Sequence, residues 1–351
     1  MIKYKLFKYQ NLVNIEMKNF LKRNLSDKYS PWNEKFNQEL FTFMMQGGKR
    51  LRPVLSTIIY EGTGGKDILS MIKISLAAEI LHNSTLIHDD LIDNSDIRRG
   101  KDAFHTRFEK WLLGKNVADA KSEAEAMAIL GGDFLIFLSF KTILESNFSD
   151  IKKLYVINTI RDVSEMVIKG QILDTELSIR NGTEDEYIKL IEGKTASAFE
   201  SVTKVATYLS DAENNVSEVL SKYAKSIGCA FQIQDDILGI FGKQKEIGKP
   251  ITSDLAEGKK TILIIKAYEL ANSHQKRILD RILGNKNISQ KEVEIVKDIL
   301  RSTGALEYST DFAKRFIYDS LDLLKDVKGQ IKNDTYKILD KLPQYMVKRN
   351  Y

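Results

Sequence analysis

Residues 67–93 read DILSMIKISLAAEILHNSTLIHDDLID. Ile68, Met71, Ile72, Ser75, Ala78, Glu79 and His82 recur at helical spacing, and Ile74, Leu76, Ala77, Ile80, Leu81 and Leu86 carry the apolar surface nearly all the way round. A helix that is apolar on every side is one the rest of the chain encloses. The spacing therefore predicts one long buried helix over 67–93. That helix ends in Asp89, Asp90 and Asp93. Residues four apart stack on one helix face, so Asp89 and Asp93 can hold a metal ion together while Asp90 points aside. Acid triplets at helical spacing are ordinarily solvated surface. These acids instead continue a buried helix, where unpartnered carboxylates are costly to enclose, and metal ligation explains them better.

A second acidic cluster lies in Phe231-Gln232-Ile233-Gln234-Asp235-Asp236, trailed by Lys249, Asp254, Lys259 and Lys260, much as Arg98-Arg99-Gly100 trails the first. Mg²⁺ takes oxygen ligands, keeps some waters and completes its shell with substrate phosphate. Two carboxylate clusters with cations downstream suggest a box for a diphosphate and several Mg²⁺ ions. Gly47-Gly48-Lys49-Arg50-Leu51-Arg52-Pro53 adds glycines that allow close backbone approach. Lys49 and Arg52 then sit at a helix start, where amides and cations favour phosphate. Alone, this stretch is no more than a basic helix N-terminus. Arg98 and Arg99 present planar forks suited to phosphate oxygens, or else a surface turn before Gly100. Gly193-Lys194-Thr195 lacks the upstream glycines of a nucleotide-binding loop, yet a lysine and a hydroxyl on a helix wall still suit a diphosphate. Gln171 and Asp174 lie three apart on one face, as a satisfied buried pair or as support for a metal.

The chain has 351 residues and only four prolines, Pro31, Pro53, Pro250 and Pro343. No helix breaker interrupts residues 54–249. Further helices are expected over 126–144, with Gly131-Gly132 marking close packing, and over 154–177, 184–208, 216–241 and 262–271. No strand alternation, repeat or low-complexity tract appears, and nothing demands a domain boundary, so residues 1–351 read as a single all-α domain. Residues 109–125 (EKWLLGKNVADAKSEAE) are mainly polar and read as a surface insertion. Within them, Trp111-Leu112-Leu113 could instead dock on a partner subunit or cover the site.

Hydrophobic content of 43% and charged content of 29% mark a globular chain with a sizeable core. The net charge of +5 fits phosphorylated substrates. Lysines interleaved with acids argue against a nucleic-acid partner. Cys229 is the single cysteine, so no internal disulfide forms. Its apolar flanks and the lack of an adjacent cation make it a packed thiol rather than a nucleophile. His82 and His88 suit hydrogen bonding better than zinc, with no cysteine or third histidine nearby. The start, Met1-Ile2-Lys3-Tyr4-Lys5-Leu6-Phe7, shows no signal-peptide pattern, and no transmembrane segment is expected. A cytoplasmic protein is the expectation.

In order and spacing, GGKRLRP, LIHDDLIDNSDIRRG, GQILD, GKT and FQIQDDILGIFG resemble the trans-isoprenyl diphosphate synthases, which make farnesyl, geranylgeranyl and longer polyprenyl diphosphates. The resemblance runs from Gly47 to the closing Leu342-Pro343-Gln344-Tyr345-Met346-Val347-Lys348-Arg349. It implies the all-α isoprenoid synthase fold, with helices around a deep central cavity and the aspartate clusters facing each other at its mouth. It also implies a homodimer and three Mg²⁺ ions per active site. Asp89 and Asp93 would hold two of the ions and Asp235 the third, with Asp90 and Asp236 in support. Arg98, Lys194 and Lys249 would grip the allylic diphosphate, with Lys259 nearby. Lys49, Arg52, His82 and Arg99 would hold isopentenyl diphosphate. Thr195 and Gln232 would face the reacting allylic carbons, with Gln171 also in the substrate-binding set. One departure stands out: the fuller second motif carries a third acid where this chain has Gly239.

The family sets product length with side chains one to three turns below the first aspartates. At about 1.5 Å per residue, Ser84 lies roughly 7 Å and Leu81 about 12 Å below Asp89. Short-chain enzymes place an aromatic ring near 84 and 85, where this chain has Ser84 and Thr85, both small. A twenty-carbon product is the expectation, with twenty-five to thirty carbons the next choice and fifteen an alternative. A terpene cyclase would carry Asn, Ser or Thr, and Glu in its second motif, and a non-catalytic partner subunit often lacks the aspartates. Asp235-Asp236 and the Lys49–Arg52 pair favour the synthase over both.

Overall fold

The computed structural model describes residues 2–242 and 253–347. By contacts the chain divides into two compact units, Met1–Glu61 with Gly65–Ile157, and Gly62–Gly64 with Asn158–Tyr351.

The first unit is built on two long helices. α4, Ile68–Ile92, packs along α6, Ala120–Leu144. α1 (Ile2–Asn24), α2 (Pro31–Met45), α3 (from Leu51) and α5 (Phe104–Leu113) complete it. The expected 67–93 helix is met to within one residue at each end. Asp67 caps it by accepting from the Ser70 amide at 3.0 Å, and Asp93 is its C-cap. Such a side-chain cap contributes about 1 kcal/mol. The expected close packing at Gly131-Gly132 is also present. A Cβ at 132 would run into the His88 ring, and one at 131 would lie 3.4 Å from Phe104. Val13, Met17, Leu40, Phe43, Leu76 and Phe104 form the core around this contact. α6 is long and apolar enough to cross a membrane by length and composition. Its inner face, with Ala124, Ala128 and Leu135 fully buried, is a core face.

Residues 109–125 end α5 and begin α6. Asp119 caps α6, which therefore starts six residues before the expected 126. Leu112, Ala120 and Ala124 are buried in the core, and Trp111 packs edge-on against Trp32 and Phe108. Leu113 is exposed. Most of 109–125 is exposed, as a surface excursion would be, while Leu112, Ala120 and Ala124 fall on inward-facing turns. No strand was expected, and one short hairpin is present. Ile97–Arg98 pairs with Lys101–Asp102 across Arg99-Gly100, both at positive φ (54° and 72°), as a two-residue hairpin turn requires.

The second unit takes most of α7 (Asp150–Ile179) and then α8 (Glu184–Ile191), α9 (Ser197–Leu209) and α10 (Asn214–Phe241). α11 (Ser253–Ala256), α12 (Ile262–Leu270), α13 (Ser273–Ile282), α14 (Gln290–Ser302), α15 (Ala305–Lys325) and α16 (Asn333–Val347) follow. α10 is central, packed on α9 and α15. The expected single helix over 184–208 is broken by a π-turn, Glu192–Ala196. Gly193 and Gly170 explain it. A Cβ at 170 would lie 2.5 Å from the Lys194 amide, and one at 193 would lie 2.9 Å from the Met166 carbonyl. The turn is pressed onto α7 backbone to backbone, and widening it by a residue aims Lys194 and Thr195. Single π-turns of this kind recur at functional sites.

Candidate active site

At the end of α4 the three acids have different surroundings. Asp90 is 1% exposed, and Arg98 of the hairpin meets its Oδ1 with Nε at 2.7 Å and with Nη2. The same Nη2 donates to Asp89 Oδ2 at 3.2 Å. Asp90 thus points aside, as its place in the helix predicts, and anchors the arginine. Asp89 and Asp93 stay on the more open face, one turn apart, with the Asp93 amide bonded to the Asp89 carbonyl at 2.8 Å. Both offer hard oxygen ligands, which fits Mg²⁺. Among the described residues no three His, Cys, Asp or Glu side chains gather into a complete metal cage.

The basic loop ahead of α3 forms the next wall. Gly47 and Gly48 have φ of 101° and 125°, and Arg50 has φ of 50°. Arg99 Nη1 donates to the Gly47 carbonyl at 2.9 Å, and the Arg99 guanidinium would lie 3.5 Å from a Cβ at 48. The positive φ at both positions is what calls for glycine, and Arg99 lies against the loop they shape. Arg50, which the sequence reading did not single out, is 2% exposed. It donates to Glu79 Oε1 at 2.6 Å, to the Met44 carbonyl at 2.6 Å and to Asn14 Oδ1 at 3.1 Å. Left-handed backbone at Arg50 turns its side chain into the core and leaves Lys49 and Arg52 on either side of it. Glu79 and His82 are neighbours on α4, so this ion pair ties the loop to the helix. Burial, then Arg52, Arg99, Arg98 and Arg50, hold the His82 imidazolium well below its usual range. His82 is a neutral ring among arginines at neutral pH. His88 Nε2 bonds the Ile129 carbonyl at 3.2 Å, a hydrogen-bonding role as expected.

In the second unit, α10 carries Gln232, Asp235 and Asp236. The Asp236 carboxylate accepts from Tyr187 Oη at 2.6 Å and from Gln232 Nε2 at 2.8 Å. Gln232 Oε1 in turn accepts from Thr195 Oγ1 at 2.7 Å. The chain Thr195–Gln232–Asp236–Tyr187 locks the π-turn onto α10. Burial, together with Asp254 and Asp235, outweighs the two donated bonds and pushes Asp236 up to about 7. Lys194 Nζ pairs with Asp174 Oδ2 at 2.6 Å. Among the described residues Asp174 thus bonds the lysine rather than Gln171, which is half-buried beside it. Lys259 Nζ meets Glu257 Oε2 at 2.9 Å. At Gly239, where a third acid is absent, a Cβ would run into Asp254 Oδ2. The carboxylate missing from α10 is replaced in space by one from α11. Lys249 lies outside the described residues.

The polyprenyl synthetase family model matches residues 33–300, which include both acidic clusters and the basic loop. This chain belongs to the polyprenyl synthetase family. Members of that family are Mg²⁺-dependent trans-prenyltransferases that elongate prenyl chains on diphosphate substrates. The chain is 37% identical over 343 residues to the geranylgeranyl diphosphate synthase of Saccharolobus solfataricus, covering 97% of this chain and 95% of that one. It is 35% identical over 309 residues to the short chain isoprenyl diphosphate synthase of Methanocaldococcus jannaschii, covering 88% and 87%. Among solved structures, the geranylgeranyl pyrophosphate synthase of Corynebacterium glutamicum, complexed with isoprenyl diphosphate and magnesium, superposes with a TM-score of 0.92. That match is at 26% identity and covers 98% of this chain and 99% of that one. The fold is the isoprenoid synthase fold.

In this polyprenyl synthetase the residues expected to set product length lie along α4. Ser84 is 1% exposed and its Oγ has no hydrogen-bond partner among the described residues. Thr85 Oγ1 donates to the His82 carbonyl at 2.8 Å, and Leu81 is half-buried. Four features escaped the sequence reading: the buried Arg50–Glu79 pair, Tyr187 on Asp236, the π-turn and Asp254 beside Gly239. The lone Gly193 inside a helical pattern was a visible signal for the π-turn. Cys229 is buried, and burial pushes its thiol up to about 12, as expected of a packed thiol.

Proposed function

We propose that this enzyme condenses isopentenyl diphosphate with an allylic diphosphate, farnesyl diphosphate in its last round, and releases geranylgeranyl diphosphate. The observation that carries this is the set of Arg52, Arg98 and Arg99 around a neutral His82, beside a helix end bearing Asp89 and Asp93. A cyclase acting on one prenyl diphosphate has no use for a second diphosphate cradle. Lys49, Arg52 and Arg99 hold the isopentenyl diphosphate, and His82 adds a neutral hydrogen-bonding ring. Asp89 and Asp93 hold two Mg²⁺ ions and Asp235 a third, with Asp254 standing in for the acid absent at 239. Bound Mg²⁺ supplies charge stabilisation for the departing diphosphate.

Arg98, anchored by Asp90, shares its charge with allylic diphosphate oxygens in this reading, and the same role is proposed for Lys194, Lys249 and Lys259. The allylic C–O bond breaks toward these cations. Thr195 and Gln232 turn oxygen dipoles toward the carbocation. The double bond of isopentenyl diphosphate, held in line, forms the new C–C bond. The proton then lost goes to the released diphosphate. The small Ser84 and Thr85 pass a farnesyl tail, and Leu81 sets the floor.

A homodimer accompanies this reading. Leu130, Phe137 and Leu144 recur every seven residues on the outer face of α6 and are 53%, 74% and 60% exposed, and Ile129 and Phe134 widen the stripe. A second copy of the chain covers it. Phe137→Glu is expected to give a monomer by light scattering.

The test of the activity is an assay with Mg²⁺, radiolabelled isopentenyl diphosphate and separate dimethylallyl, geranyl and farnesyl primers, with the dephosphorylated products sized. Elongation of farnesyl to the twenty-carbon alcohol is expected. Arrest at fifteen carbons would overturn the product assignment, and no condensation with any primer would overturn the activity.

A further inference from the structure

α1 has two apolar faces where a surface helix needs one. Leu6, Tyr9, Val13, Met17 and Phe20 are buried in the first unit. On the opposite side Tyr4, Phe7 and Ile15 are 75%, 62% and 58% exposed. At 3.6 residues per turn, Tyr4, Phe7, Lys8, Asn11, Ile15, Lys18 and Lys22 fall within an arc of about 100° diametrically opposite the buried face. Lys3 and Arg23 flank that arc. The exposed residues of α1 thus include five cations and no acid, and its one acid, Glu16, is half-buried outside the arc. Lys5 and Arg23 have acidic partners, Glu61 and Glu145, the latter bridged at 3.5 Å. A merely solvated helix face looks different: α13 exposes Ser273, His274, Arg277, Asp280 and Arg281, with both signs of charge and no large apolar group.

We propose that the outer face of α1 docks this enzyme on an anionic lipid surface. Lysines interleaved with aromatic and aliphatic side chains on one helical face match the two layers of a bilayer interface, anionic headgroups above and acyl chains below. An acidic protein or a nucleic acid would answer the lysines and leave Phe7 and Ile15 in water. The inference rests on the proposed function in one respect. A product with a diphosphate head and a long apolar tail partitions into bilayers, so docking sets its release where the next prenyl-consuming reaction finds it.

The test is co-sedimentation of the full chain with vesicles of phosphatidylcholine alone and with roughly a third phosphatidylglycerol. Binding is expected only to the anionic vesicles, weakening as salt is raised. Phe7→Glu with Ile15→Glu, and separately Lys18→Glu with Lys22→Glu, are each expected to lower the bound fraction at least about tenfold. Condensation measured with substrates in dilute detergent should be unchanged in both variants. Equal binding to neutral vesicles, no binding at low salt, or variants that bind like the parent would each overturn the proposal. A change of oligomeric state in the Phe7/Ile15 variant without vesicle binding by the parent would overturn it in favour of a second copy. Vesicle binding by a preparation that shows no condensation would uphold the docking face while sinking the activity.

Discussion

The two acidic clusters are held in opposite ways. At the end of α4 a cation is already in place: Arg98 fastens Asp90 and reaches Asp89. On α10 the corresponding second carboxylate, Asp236, is held by neutral donors, Tyr187 and Gln232, with two further acids close by. The first cluster therefore balances much of its charge within the protein. In the second, burial and the two neighbouring acids push Asp236 up to about 7, so near neutral pH this carboxyl resists carrying its charge. Similar acid pairs in the sequence thus serve two electrostatic designs, one fastened to an arginine and one held by neutral donors whose buried carboxyl resists charging.

The largest effect that could break this comparison is on turnover. Asp89→Ala and Asp235→Ala, which remove proposed metal ligands, should each lower kcat by about 10³, near 4 kcal/mol of transition-state stabilisation. Initial rates at saturating Mg²⁺ check this, and intact turnover in either variant would remove its metal assignment. Next comes stability. Asp90→Ala leaves the Arg98 guanidinium without its main partner and should cost about 3 kcal/mol by urea unfolding. Asp236→Asn keeps the size of the group and removes charge from a site that resists it. Its unfolding free energy should change by no more than about 1.5 kcal/mol. If the two variants proved equally destabilised, the contrast between the clusters would be lost. The smallest effect concerns Cys229. A raised thiol pKa leaves little thiolate, so alkylation at pH 8 should be negligible in the folded protein and fast only after denaturation.

Much of this was legible because it is local. The 67–93 helix announced its buried character by apolar residues on every side, and its ends by Asp67 and Asp93, so its limits fall within a residue of expectation. The acids, the glycine loop and the arginine pair are contiguous motifs, whereas the short hairpin around Arg99-Gly100 was not expected, its strands being too short for any alternation to show. What escaped depends on contacts distant in sequence. The π-turn arises because Gly170 and Gly193 let α7 and the 192–196 segment touch through backbone. Arg50 reads as one more surface cation until Glu79 is seen to meet it 29 residues away. Asp254 gains its meaning from the room that Gly239 leaves. Leu112 is buried and Trp111 half-buried in a polar stretch whose composition hides the turn that carries them inward.

The most direct test of the central claim is to give the purified enzyme labelled farnesyl diphosphate and Mg²⁺ with and without isopentenyl diphosphate. The account predicts no hydrocarbon product without isopentenyl diphosphate, and a twenty-carbon prenyl diphosphate with it. Conversion of farnesyl diphosphate to a hydrocarbon in the absence of isopentenyl diphosphate would contradict it, because the arginines around His82 would then have no second substrate to hold.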